Sequence, residues 1–187
     1  MSAPTDVPDL VTRALDLSRQ EGFITATRHE TGRLLATLAA SRQGTLAELG
    51  TGCGVGSAWI SSGTGGDARV VTAELDPGLA QKVQDIFAET SGVEVIAGDW
   101  TALEQYAPFA LLFVDVRDVK GSVEAVCDLM EPGGMVVLDD FTPCESWPPI
   151  FEGRVDVMRE QWLTDPRFTA VEVMVSADSS VLIATRR

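Results

Sequence analysis

Residues Ala47 to Trp59 read A-E-L-G-T-G-C-G-V-G-S-A-W: an apolar strand running into four glycines at alternate positions, Gly50, Gly52, Gly54 and Gly56. Glycine lacks the Cβ that would hold a ligand away from the main chain, so such a loop lets backbone approach a bound molecule closely. The next apolar run, Arg69 to Leu75, places an acid, Glu74, about twenty residues after Gly54, where a ribose diol needs an acceptor. Together they predict a nucleoside-bearing cofactor held at the end of a parallel sheet.

The remaining pattern agrees with such a sheet. Helical spacing covers Val11 to Arg19 and Glu30 to Ala40, after a loose arm over the first ten residues. Strands are then expected at Thr45–Leu49, Arg69–Leu75, Val93–Ala97, Phe109–Val114 and Met135–Leu138. Helices are expected near 56–61, 77–90, 101–105 and 119–130, and Glu131-Pro132-Gly133-Gly134 reads as a turn into the fifth strand. A further helix ends at Thr164, and the tail alternates as two strands, Phe168–Val175 and Ser180–Thr185, joined as a hairpin. The expected fold is one Rossmann-like α/β domain over residues 1–187. It has a doubly wound, mostly parallel seven-stranded sheet, a core over 41–187 and N-terminal helices over 1–40 as a lid.

In such sheets, ligands bind beyond the carboxyl ends of the strands. Here those ends carry Glu48 to Gly56, Glu74, Gly98-Asp99-Trp100, Asp115 and Asp139-Asp140. Any one acid could be a helix cap, but five in succession beside a glycine loop indicate a shared site. The dinucleotide fingerprint fails in every register, because its third glycine, five places after Gly50, Gly52 or Gly54, would fall on Val55, Ser57 or Trp59. A P-loop fails too, since neither lysine, Lys82 or Lys120, follows a glycine. A loop poor in positive charge and facing carboxylates suits a cationic, phosphate-free nucleoside, the sulfonium of S-adenosylmethionine.

With 187 residues, 45% of them hydrophobic, the chain is long enough to bury a sizeable core. Its net charge of −14 argues against a nucleic-acid or anionic-membrane partner. Cys53, Cys127 and Cys144 are odd in number and widely spaced, which predicts reduced thiols in a cytoplasmic protein. The acidic, Pro-containing N-terminus does not read as a signal peptide, and no apolar run is long enough to span a bilayer.

Through Glu48-Leu49-Gly50-Thr51-Gly52-Cys53-Gly54, Glu74 and Asp99, the chain resembles class I S-adenosylmethionine-dependent methyltransferases. Within them it is similar to small O-methyltransferases of the catechol and caffeoyl-CoA type. Three features carry that likeness: the helix beginning Glu30-Thr31-Gly32-Arg33, Phe113-Val114-Asp115 after the fourth strand, and Asp139-Asp140 after the fifth. The resemblance implies a cofactor site made by Glu48, Gly50, Thr51, Gly52, Cys53, Gly54, Glu74, Leu75, Gly98, Asp99, Trp100 and Asp115. Glu74 would accept the ribose hydroxyls, and Gly98, Asp99 and Trp100 would frame the adenine. It also implies Mg²⁺, or Ca²⁺, on Asp115, Asp139 and Asp140, lowering the pKa of the acceptor hydroxyl.

One departure is clear: the family's basic residue three places after the aspartate is Asp118 here. Asp115, Asp139 and the single histidine, His29, are the catalytic candidates. The Pro- and aromatic-rich segment 141–149, with Trp147 and Phe151, reads equally as a substrate wall or a rigid connector. The expected activity is O-methylation of a small aromatic or hydroxylated metabolite, in a chain able to form a homodimer. Methylation of nitrogen, carbon or protein, and cofactor binding without turnover, remain open, although the absence of asparagine removes N-P-P-Y motifs.

Overall fold

Alternation of apolar side chains along the central strands fixes the layers of the molecule. In a computed structural model that describes residues 6–65 and 68–187, seven strands form one sheet: β1 (Gly44–Leu49), β2 (Ala68–Glu74), β3 (Val93–Ala97), β4 (Phe109–Val114), β5 (Met130–Phe141), β8 (Phe168–Met174) and β9 (Ser180–Arg186). Their order is β3-β2-β1-β4-β5-β9-β8. The first five strands are parallel, while β9 and β8 close the sheet antiparallel. This is the expected doubly wound sheet with its terminal hairpin. Chain order reverses between β1 and β4, which opens a crevice at their carboxyl ends.

Period-two burial sends Ala47, Leu49, Leu112, Val114, Val136 and Leu138 into one core and Leu46, Leu111, Phe113 and Val137 into the other. The first core is covered by α6 (Val123–Leu129), by Leu103 of the 3₁₀ helix Trp100–Tyr106, and by Trp162 of α7 (Val157–Thr164). The second is covered by Leu35 and Ala39 of α2 (His29–Ala39) and Ile60 of α3 (Val55–Gly63). α1 (Asp9–Glu21) joins a third cluster with Trp59 of α3 and Val83 and Phe87 of α4 (Pro77–Phe87). α3 is enclosed by these neighbours, so every residue from Val55 to Ile60 is buried. The start of α4 follows from its sequence: Asp76 accepts from the amides of Gly78 and Leu79, and Pro77 occupies the first turn.

Four local expectations differ from the structure. α1 begins at Asp9, inside the expected ten-residue arm, of which residues 1–5 lie outside the described residues. The single helix expected over 119–130 is two, α5 (Arg117–Lys120) and α6, parted at Gly121-Ser122 where helix propensity is poor. β5 begins at Met130, and Glu131–Gly134 bulge from it as the register passes from Phe109↔Met130 to Leu111↔Met135. The segment after β5 contains a small hairpin, β6 (Ile150–Phe151) and β7 (Arg154–Val155), unanticipated because its strands are two residues long. Among the described residues, no helix is long and apolar enough to cross a membrane.

Candidate active site

The glycine loop leaves β1 with φ of +89° at Gly50, +51° at Gly52 and +84° at Gly54, all in the left-handed region that side chains disfavour. A Cβ on Gly50 would lie 2.8 Å from Val116 Cγ2, and one on Gly54 would lie 2.9 Å from Val83 Cγ1. Glu74 holds the loop in place: its Oε2 accepts from the Gly52 amide at 2.9 Å and its Oε1 from the Asp76 amide at 3.0 Å. A carboxylate has about four lone-pair positions, so acceptor capacity remains for a ligand.

Behind the loop, Glu48 is fully buried. Its Oε2 accepts a short hydrogen bond from the Ser57 hydroxyl, and the Thr72 hydroxyl lies 3.5 Å away. Burial without a cationic partner pushes its pKa up to about 8, against the lowering effect of Ser57.

These residues enclose a cavity of about 430 Å³. Its walls are Glu48, Gly50, Thr51, Gly52, Cys53, Val55, Glu74, Asp115 and Asp140, with Phe23, Thr25, Ala26 and Thr27 contributed by the α1–α2 connection. Four carboxyl side chains line it and no basic one does. Gly98, Asp99, Trp100 and Leu75 do not appear in these walls. Asp99 Oδ1 caps the 3₁₀ helix through the Thr101 amide at 3.0 Å, Trp100 packs on the core, and Leu75 is 73% exposed beyond the end of β2.

A second cavity of about 400 Å³ shares Asp115 and Asp140 with the first. It is completed by Arg117, Lys120, Asp139, Phe141, Thr142, Phe151, Asp156, Met158 and Arg159. Phe151 lines this cavity, while Trp147 is exposed and outside its walls. Arg159 brings little free charge here: it is buried, spans Glu172 at 3.2 Å and donates to the Thr142 carbonyl at 2.9 Å.

At the border of the two cavities, Asp139 and Asp140 form a bulge, since Leu138 pairs with Leu182 but Phe141 with Ser180. Asp140 adopts φ +64°, which turns Asp139 inward and leaves the Asp140 side chain 73% exposed. The Asp139 carboxylate accepts from the Thr31 hydroxyl of α2 at 3.2 Å.

The most consequential residue stands two places past the family's offset. Lys120, 6% exposed, ends α5 and turns back to the strand ends. Its Nζ donates to the Asp139 carbonyl at 2.9 Å and lies 3.7 Å from Asp115 Oδ1 and 3.9 Å from Asp140 Oδ2. Asp118, at the family's offset, is exposed. Burial raises the Asp115 pKa to about 7, with Asp140 and Asp139 adding to the rise and Lys120 opposing it. Burial raises Asp139 as well.

This arrangement bears on two expectations. An ammonium stands among Asp115, Asp139 and Asp140, and the Asp139 carboxylate is directed to Thr31. Among the described residues no group of three or more His, Cys, Asp or Glu side chains could hold a metal ion. His29 is exposed, lies edge-on to Trp59 at 6.1 Å between ring centroids, and lines neither cavity. Thr31 and Trp162 were not singled out as site residues. Trp162 Nε1 donates to the Lys120 carbonyl at 2.7 Å and so fixes the lysine from behind. The scarcity of lysine, two in the chain, was the available signal for Lys120.

Comparison with known proteins places this geometry in a class. A methyltransferase-domain family model matches residues 47–141, from the glycine strand to the end of β5 and just over half of the chain. The chain belongs to that family, and its fold is that of a class I, S-adenosylmethionine-dependent methyltransferase.

A protein of Mycolicibacterium paratuberculosis, provisionally named an O-methyltransferase, is 25% identical over 159 residues, covering 73% of this chain and 72% of its own. Among solved structures, the O-methyltransferase TomG of Streptomyces achromogenes, in complex with S-adenosylmethionine, superposes with a TM-score of 0.76 at 24% identity, covering 97% of this chain and 92% of its own. An O-methyltransferase of Bacillus cereus in complex with S-adenosylhomocysteine superposes with a TM-score of 0.76 at 19% identity, covering 98% and 94%.

Proposed function

We propose that the protein methylates a hydroxyl oxygen of a small acceptor, with a hydroxylated aromatic favoured, using S-adenosylmethionine. The observation that carries this reading is the pair of adjoining cavities with Asp115 and Asp140 as their common wall. One cavity is acidic and backed by a glycine loop; the other has Phe141, Phe151 and Met158 to face an aromatic ring. The relative from M. paratuberculosis and the two solved enzymes, all named as O-methyltransferases, support the choice of oxygen.

In this reading Gly50, Thr51, Gly52, Cys53 and Gly54 cradle the cofactor, Glu74 accepts its ribose hydroxyls, Asp115 adds negative potential toward the sulfonium, and Glu48 stands behind the loop as a neutral acid. Gly98, Asp99 and Trp100 border its adenine end. The helices of residues 1–40 serve as a lid through Phe23 to Thr27. When bound, S-adenosylmethionine supplies an electrophilic methyl group: an O–C bond forms, the S–C bond breaks, and its electron pair stays on sulfur. Asp115 faces both cavities and takes the hydroxyl proton, a base whose pKa suits neutral pH. The walls of the two cavities align acceptor and donor, which is the larger part of catalysing such a displacement.

A cytoplasmic location fits the acidity and the three free cysteines. A homodimer is part of the same proposal, with the exposed Ile150, Phe151, Val155 and Val157 as apolar surface available for it. The test is release of S-adenosylhomocysteine across a panel of phenols, catechols, aromatic amines and peptides. Release with the hydroxylated compounds is expected. Release with amines or peptides alone, or cofactor binding with no release, would overturn the reading.

A further inference from the structure

The acids at the ends of β4 and β5 converge on a cation that belongs to the chain itself. We propose that the Lys120 ammonium takes the place of a divalent ion at the boundary of the two cavities, so that this enzyme binds and methylates its acceptor without a metal. The proposal rests on the reading of the second cavity as the acceptor site.

Three oxygens surround Nζ: the Asp139 carbonyl at 2.9 Å, Asp115 Oδ1 at 3.7 Å and Asp140 Oδ2 at 3.9 Å. Mg²⁺ and Ca²⁺ need several oxygens within about 2.0–2.6 Å, and an ammonium inside the same ring of acids repels a dication placed there. The lysine has little freedom to withdraw. Its side chain is buried, its carbonyl accepts from Trp162 Nε1 at 2.7 Å, and its amide donates to the Val116 carbonyl at 3.3 Å. The Asp139 carboxylate accepts from Thr31 at 3.2 Å, which turns one of its oxygens toward α2.

The substitution changes what the site asks of an acceptor. A dication is satisfied by chelation, which favours two adjacent oxygens. An ammonium has three N–H donors, of which the Asp139 carbonyl takes one, and Lys120 lines the acceptor cavity, so a single hydroxyl oxygen can be held by a donor that remains. Phenols with one hydroxyl are therefore acceptors on the same footing as catechols.

Mn²⁺ titration followed by electron paramagnetic resonance, on the whole protein with S-adenosylhomocysteine present, tests the cation directly. No uptake is expected in the wild type up to millimolar Mn²⁺, whereas Lys120→Ala and Lys120→Met, checked for folding by circular dichroism, should bind one ion. Two results would overturn the proposal: uptake by the wild type that Asp139→Asn abolishes, or failure of both folded variants to bind. If neither variant folds, the wild-type titration decides alone. EDTA should change the turnover of any active acceptor by less than about twofold, and loss of turnover restored by Mg²⁺ would also sink it. The titration needs no turnover, so silence across the acceptor panel removes the functional reading and leaves the result on the cation intact.

Discussion

The two edges of the crevice handle charge in opposite ways. On the β1–β2 side, Glu48 and Glu74 face the first cavity with no basic side chain in its walls. On the β4–β5 side, Asp115, Asp139 and Asp140 gather about Lys120. Through Glu74 the first edge leaves negative potential free, which suits a ligand that brings its own positive charge. The second edge carries its cation within the fold, which suits a neutral ligand held by hydrogen bonds. The contrast teaches that two edges of like acidic composition can differ in the charge they leave unpaired.

The largest expected effect breaks the first half. Glu48 keeps its proton in the folded state up to about pH 8 but loses it near the ordinary carboxylate value when unfolded. Between those values the folded state binds more protons than the unfolded state. Stability therefore falls as pH rises, by up to about 1.4 kcal/mol per pH unit. Asp115, raised to about 7, adds to the same slope. Glu48→Gln should remove most of the decline between pH 5 and 8 in urea melts of the cofactor-free protein. An unaltered slope would mean that the carboxyl is ionised in the fold.

Next comes the shared wall. Asp115→Asn should lower kcat by about a hundredfold, the scale of a lost general base. Stopped assays at saturating cofactor and acceptor would measure it, and a loss under threefold would move the base elsewhere. Glu74→Ala should follow, weakening cofactor binding by about tenfold through lost charge-assisted hydrogen bonds. Calorimetry with S-adenosylhomocysteine reads that change, and kcat at saturation should hold. An affinity that stays the same would detach Glu74 from the ribose.

The two edges also differ in how far the chain announces them. The glycine loop, Glu74 and the strand ends are local: a turn conformation and an acid at the end of a strand depend on neighbours a few residues away, so residue order reveals them. β4 was bounded correctly for the same reason, because an unbroken apolar run between Pro108 and Asp115 leaves little choice. The acceptor edge is assembled from distant elements: Thr31 reaches Asp139 across 108 residues and Trp162 reaches Lys120 across 42. Lys120 lies off the family's offset, and its approach depends on the break between α5 and α6, a matter of two poor helix formers at Gly121-Ser122. Three acids in the right order do not reveal a lysine folded in among them.

The smallest effect probes whether the edges are independent. Trp162→Phe keeps most of the apolar volume against Phe168, whose ring centroid lies 5.2 Å away, but deletes the indole N–H that serves the Lys120 carbonyl. Leaving that buried carbonyl unpaired should cost about 1–2 kcal/mol in a urea melt. Lys120 is set by that hydrogen bond and the cofactor cavity is not, so the KM for the acceptor should rise while the affinity for S-adenosylhomocysteine stays within about twofold. An equal loss in both would show that Asp115 and Asp140 transmit strain across the shared wall. A loss in neither would show that α5 holds the lysine without help from α7.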